Sequence, residues 1–318
     1  MRTFFNAALA ATALVTAVAQ EAGAEEHIYI EPSGTYLFAS KDGQDLFLDV
    51  YDPAEGSQTE IDGCAKPTVI FMFGGGFRGG ERNKAYYTKW FKMMTDSGYR
   101  VISIDYRLGL AGAGKIGVKD SGLVENAINL AVEDLYSATA FIVENAGSLG
   151  VDPSRIVISG SSAGAISVLQ ADYELCNGFE RARILPEGFR YAGVMSFAGA
   201  VFSRDGKVKY AVEPSPTLMF HGTADKVVNY KQIWFFKLRF AGTSVLSRSF
   251  KEGGYNYNIY RYQDCSHEIA SCMSQFFSEE IRFLETNVMR GEKRIVDAVV
   301  TDPDVPVSRW KGKDYNDL

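Results

Sequence analysis

Three short runs, Pro67 to Phe73 (PTVIFMF), Arg100 to Tyr106 (RVISIDY) and Arg155 to Ser159 (RIVIS), are mostly apolar and rich in β-branched residues. Such runs are buried on both faces of a parallel sheet. Residues 191–197 (YAGVMSF), 216–222 (PTLMFHG) and 257–264 (YNIYRYQD) read as further strands, and 46–53 (LFLDVYDP) alternates as an early antiparallel strand ending at a proline. Residues 83–98 have helical spacing and stop at Gly98. From Leu123 to Gly150, apolar residues recur every three or four positions and the stretch ends in glycine, which predicts a long amphipathic helix. Strands alternating with helices predict a single α/β domain, doubly wound, with a mostly parallel sheet covered by helices on both faces.

The first residues change where that domain begins. Arg2 precedes an apolar stretch ending in Ala17-Val18-Ala19, the pattern of a secretory leader over 1–19 with cleavage after Ala19, or after Ala24 through the small residues that precede it. The alternative is a buried N-terminal helix. No later apolar run approaches the roughly 18 residues a membrane span needs, so the expectation is an exported, soluble domain over 25–289 without stable membrane insertion. Residues 290–318 are charged, carry Pro303 and Pro306, and are expected to run over the surface.

With 318 residues, 46% of them hydrophobic, the chain can bury a large core. A net charge of −6, with basic residues scattered among acidic ones, excludes a nucleic-acid partner. Oligomeric state is not legible. The four cysteines, Cys64, Cys176, Cys265 and Cys272, allow three pairings. A local Cys265–Cys272 bridge around His267 is the first choice, against four buried free thiols. Their spacing is not that of a zinc site, and no metal is expected.

The run RIVISGSSAGAIS brings in chemistry. A strand passes directly into a helix through Gly160-Ser161-Ser162-Ala163-Gly164, without a large side chain. G-x-S-x-G alone is a weak signal. Between a strand and a helix it reads as a nucleophile elbow, a strained turn that presents the Ser162 hydroxyl above the sheet. That hydroxyl needs a base, and the base a carboxylate to orient it. Of only three histidines, His27 precedes the sheet and His221 ends a strand, where local contacts account for it. His267, after the last core strand, remains. Asp225, just beyond the 216–222 strand, is the candidate acid; Asp205 reads as a solvated loop charge and Asp264 is too close in sequence to His267. The oxyanion of acyl transfer needs backbone N–H donors. The glycine run at 74–76, after another strand, lets backbone approach a ligand and lacks the endings of phosphate-binding loops. Gly75, Gly76 and Ala163 are therefore the candidate donors. Phe77, Phe202 and Tyr230 are candidate pocket residues, with packing the competing role for each.

With glycine loop, elbow serine, late aspartate and final histidine in that order, nearly all of the chain beyond the leader resembles the α/β-hydrolase fold. It is most similar to the carboxylesterase and hormone-sensitive-lipase-like branch, including bacterial acetyl-xylan and feruloyl esterases. The segments that carry the likeness are FGGGFRGG, DYRLG, VEDLYSATAFIVENAGSLGVDPSRIVISGSSAGA and HGTADKVV. Phe73 departs from the histidine usual before the three glycines in the lipase-like members. The resemblance implies an eight-stranded sheet and a secreted serine esterase that uses no cofactor. Its partner would be a small-molecule or polysaccharide-linked ester with a short-chain or aromatic acyl group. A serine peptidase or a lipase shares the triad, and a non-catalytic binding module shares the fold. Only about twenty residues separate Val194 from Pro216, a common insertion point in this fold, too few for a large cap.

Overall fold

The computed structural model describes residues 29–117, 120–204, 206–235 and 238–301. The expected leader, His27, Asp205 and residues from 302 onward lie outside the described residues.

The chain opens with a hairpin, β1 (Gly34–Lys41) and β2 (Gln44–Tyr51), then a two-stranded excursion, β3 (Glu60–Ile61) and β4 (Cys64–Ala65). Next come β5 (Thr68–Met72), α1 (Ala85–Asp96), β6 (Arg100–Ile104), α2 (Ser121–Glu144) and the short α3 (Ala146–Leu149). The elbow joins β7 (Ile156–Ser161) to α4 (Ala163–Cys176), followed by β8 (Gly193–Phe197), β9 (Ala200–Ser203) and β10 (Thr217–Gly222). A second hairpin, β11 (Gln232–Phe235) and β12 (Leu238–Gly242), leads to α5 (Thr243–Gly253) and β13 (Tyr257–Tyr262). Helix α6 (Phe277–Phe283) and β14 (Val296–Val300) complete the described chain.

The main sheet has the order β1-β2-β6-β5-β7-β8-β10-β13-β14. Strands β1 and β2 are antiparallel and every pairing from β6 to β14 is parallel. All residues of β5, β7, β8 and β10 are buried, as their unbroken apolar runs predict. Helices α1 and α6 cover one face, where Phe71 lies against Tyr87, Trp90 and Phe91 and the Trp90 indole N–H donates to Glu280. Helices α2 and α4 pack together on the other. The order reverses at β5, which sits between β6 and β7. A crevice opens at such a switch point, outside the carboxyl ends of the strands.

The predicted doubly wound sheet is present with three differences. It has nine strands rather than eight, because Val296–Val300, in the segment expected to run over the surface, pairs in parallel with β13. That segment is at the surface as an edge strand, with Asp297 and Val299 exposed. The predicted long helix ends at Glu144, with α3 as a separate turn. A small antiparallel sheet, β11-β12-β9, is present as well; it draws β9 from the short connection between β8 and β10, and the sequence reading does not include it.

Candidate active site

The end of β7 and the start of α4 are separated by one residue, Ser162, at φ 52°, ψ −114°. A positive φ at a serine costs on the order of 1–3 kcal/mol and persists only where the surroundings enforce it. Here the Ser162 N–H donates to the Phe197 carbonyl at 2.9 Å, and the Ser162 carbonyl accepts the Ile166 N–H at 2.9 Å. Small residues on either side are obligatory. A Cβ at Gly160 would lie 2.4 Å from the Gly164 backbone, and one at Gly164 would lie 2.1 Å from the Met72 carbonyl oxygen. The residue types that suggested an elbow are thus those that let strand, helix and β5 come together.

Three side chains from the ends of β7, β10 and β13 meet at this turn. Ser162 Oγ lies 2.8 Å from His267 Nε2, and His267 Nδ1 lies 2.8 Å from Asp225 Oδ2. A carboxylate only accepts, so His267 carries its proton on Nδ1 and turns the Nε2 lone pair toward the hydroxyl. Asp225 Oδ1 accepts the N–H groups of Val227 at 2.8 Å and Val228 at 3.1 Å. Burial alone would push the Asp225 carboxyl up. Electrostatic attraction to His267 and His221, together with the hydrogen bonds they offer, prevails and holds it well below the usual carboxylate range. The carboxylate is therefore ionised although only 3% exposed.

His221 was assigned local contacts, and it makes them: Nε2 lies 2.9 Å from the Val228 carbonyl oxygen, and Nδ1 meets the Thr243 hydroxyl. Sequence reasoning missed that the same Nε2 is 3.3 Å from Asp225 Oδ2, so the acid touches two imidazoles. The signal was the four-residue spacing in HGTAD, with His221 on the strand that carries Asp225 beyond its end.

The glycine loop after β5 flanks the elbow. A Cβ at Gly74 would stand 3.2 Å from Ser162 Cβ. Gly75 and Gly76 have φ of 134° and 63°, and a Cβ at Gly75 would lie 2.0 Å from the Gly79 carbonyl oxygen, so only glycine permits the loop's course. Ala163 is the first residue of α4; N–H groups in a first helical turn have no intrahelical acceptor and sit at the positive end of the helix dipole.

The three candidate pocket residues are all buried. Phe77, at φ 58°, sets its ring edge-on to Tyr106 and accepts the Leu110 N–H on its carbonyl at 2.9 Å. Tyr230 packs edge-on to His221, behind the acid. Phe202 is on β9, its N–H donating to Gln170 Oε1 at 2.9 Å. The ring contacts of Phe77 and Tyr230 are packing contacts, and the contact of Phe202 is a backbone hydrogen bond.

The local Cys265–Cys272 bridge is not formed: none of the four cysteines is in a disulfide, Cys176 and Cys272 being buried and Cys64 and Cys265 half-buried. Cys272 is turned inward, its thiol donating to the Glu268 carbonyl at 3.3 Å, and burial pushes that thiol up to about 12. Among the described residues, no group of three or more His, Cys, Asp or Glu side chains is placed to hold a metal ion, and no helix is long and apolar enough to cross a membrane.

Residues 48–182 match the family model described as BD-FAE, a stretch that includes the glycine loop and the elbow and stops before Asp225 and His267. The chain is 34% identical over 134 residues to Gut esterase 1 of Caenorhabditis briggsae, covering 42% of this chain and 22% of that protein. It is 29% identical over 126 residues to Lipase 2 of Moraxella sp., covering 40% and 25%. The matched stretch thus spans about a quarter or less of the length of these two relatives. Among solved structures, the native form of the thermophilic esterase Est2 from Thermogutta terrifontis superimposes with a TM-score of 0.58 at 19% identity, covering 79% of this chain and 91% of the other. That likeness is one of fold.

Proposed function

We propose that this chain, which has the α/β-hydrolase fold, is an exported serine carboxylic-ester hydrolase acting through an acyl-enzyme. The observation that carries the reading is the unbroken series of hydroxyl, imidazole and ionised carboxylate, joined at 2.8 Å and 2.8 Å, on a strained elbow. His267 Nε2 takes the Ser162 proton as Oγ attacks the ester carbonyl. The N–H groups of Gly75, Gly76 and Ala163 receive the developing oxyanion. The imidazolium, opposed by Asp225, hands its proton to the departing alcohol, and a water activated by the same imidazole releases the acid. No step calls for a metal or organic cofactor.

The substrate class is short-chain or aromatic acyl esters, with acetyl or feruloyl groups on polysaccharides first among them. The short connection between β8 and β10, too short for a large cap, supports short acyl groups over long ones. Export rests on the apolar leader with its small-residue cleavage pattern.

A fluorophosphonate probe tests the chemistry. The folded wild type is expected to label, and Ser162→Ala to lose the label; a folded wild type that stays unlabelled would overturn the enzyme reading. A panel of acetylated sugar, feruloyl, long-chain and peptide substrates tests the class. Preference for peptides or long-chain esters would replace this substrate choice.

A further inference from the structure

His267 begins a single 3-10 turn, His267–Ser271, and the direction of its imidazole follows from how that turn is held. Acyl transfer needs base and nucleophile aligned to within a fraction of an ångström. The chain enters the turn on the acid's side. There the Ala224 N–H, from the residue before Asp225, donates to the Cys265 carbonyl at 2.9 Å, and Gly222 admits the Ser266 carbonyl so closely that a Cβ would lie 2.3 Å from its oxygen. The chain leaves the turn on the nucleophile's side. Ser161, the residue before Ser162, donates its hydroxyl proton to the Ala270 carbonyl at 2.7 Å. Carbonyls at the end of a helical turn have no donor within it, and this one takes its donor from the elbow. Ser161, His267 and Ala270 are all buried, so bulk water does not compete for the bond. The glycine loop packs against the same serine: a Cβ at Gly74 would stand 3.1 Å from the Ser161 carbonyl oxygen and 3.2 Å from its Oγ. The segment that carries the base is thus fastened at one end by the neighbour of the acid and at the other by the neighbour of the nucleophile.

We propose that Ser161 is a positioning residue for ester hydrolysis: through the Ala270 carbonyl it sets the turn 267–271, and with it the approach of His267 Nε2 to Ser162 Oγ, 2.8 Å away. The inference rests on the esterase reading above. The nucleophile and the tether are consecutive residues at the end of β7, so the base-bearing turn follows the hydroxyl that it must deprotonate. The fastening on the acid's side is made by backbone, whereas this one depends on a single side-chain hydroxyl. A further bond to the turn, from the Tyr86 hydroxyl to the Ser271 carbonyl, lies at the exposed surface, where water can replace it.

The test follows wild type, Ser161→Ala and Ser161→Thr, each normalised by fluorophosphonate titration of intact sites, through kcat, KM and amide hydrogen exchange over 267–272. Ser161→Ala is expected to lose about 10- to 100-fold in kcat, the scale of a misplacement of about 1 Å at a reacting group, with KM changed by less than about threefold and exchange over 267–272 faster. Ser161→Thr keeps the hydroxyl and should stay within about threefold of wild type with the turn protected; where its methyl group displaces the turn, kcat and protection should fall together. The alanine change is then made in a His267→Ala background and residual hydrolysis of an activated ester is compared per folded protein. A further loss of less than about twofold is expected, because a tether acting through the imidazole has nothing left to position. A loss there as large as in wild type would overturn the proposal. So would a kcat that changes without exchange, exchange that changes without kcat, or a loss confined to KM or to the fraction of titratable sites. A wild type that neither labels nor hydrolyses any ester would defeat the esterase reading, and exchange in Ser161→Ala would then decide by itself whether the tether holds the turn.

Discussion

Asp225, beyond the end of β10, and Glu280, on α6 behind the sheet, are both carboxyls with almost no solvent contact. Asp225 is met by two backbone N–H groups on one oxygen and two imidazoles on the other. Glu280 receives the Trp90 indole N–H on Oε2 at 2.7 Å, while its Oε1 has no hydrogen-bond partner among the described residues. Burial pushes the Glu280 carboxyl well above its usual range and the Trp90 bond does not offset it, so it stays protonated; Asp225 is held well below. Equal burial with unequal partners yields opposite charge states. A carboxylate that must oppose an imidazolium needs donors converging on it, and the site supplies them where the core does not.

The largest effect that tests this contrast is at the acid itself. Asp225→Asn removes the charge and keeps the shape, and kcat is expected to fall about 10³- to 10⁴-fold with the fold intact by circular dichroism. Turnover near that of the wild type would take Asp225 out of the triad. Next is His221→Gln, which loosens the second imidazole from the acid; a loss of about 10- to 100-fold in kcat corresponds to one charge-assisted hydrogen bond. An unchanged kcat would confine His221 to local packing.

Smaller effects lie in stability, with signs that oppose each other. Glu280 has a folded value above its unfolded one, so its protonated form favours the folded state fully below about pH 4.3, and stability is lost as pH rises beyond that. Glu280→Gln should leave kcat unchanged, and its melting temperature should gain on the wild type progressively between pH 4 and 8. Asp225 is the reverse: its contribution is present above about pH 3.9 and is lost as pH falls toward the folded value. Wild type should therefore lose its stability advantage over Asp225→Asn on acidification. Thermal melts of Glu280→Gln between pH 4 and 8 and of Asp225→Asn below about pH 4 check the signs, and a pH-independent difference from wild type in either would break the comparison.

Much of this was legible along the chain. The short, mostly apolar runs rich in β-branched residues at 67–73, 100–106 and 155–159 identified inner parallel strands, because burial on both faces favours such residues. The order of glycine loop, Ser162, Asp225 and His267 identified the site because each follows a strand end, and parallel strands share one carboxyl edge. The hairpin β11–β12 was not legible, since no Gly, Pro, Asn or Asp interrupts Gln232 to Phe240 to mark a turn. β14 did have a signal, the β-branched residues of Val296 to Val300, overshadowed by the charged residues around it.

By itself, then, the sequence determined the layers of the fold, the elbow and the three side chains that meet there, because these depend on periodicity, residue size and order along the chain. The tertiary structure alone decided the partners: the second imidazole on Asp225, the cysteines left outside any disulfide and the protonated Glu280. Those depend on which groups from distant segments face each other across less than 4 Å once water has been excluded, and no local pattern encodes that distance.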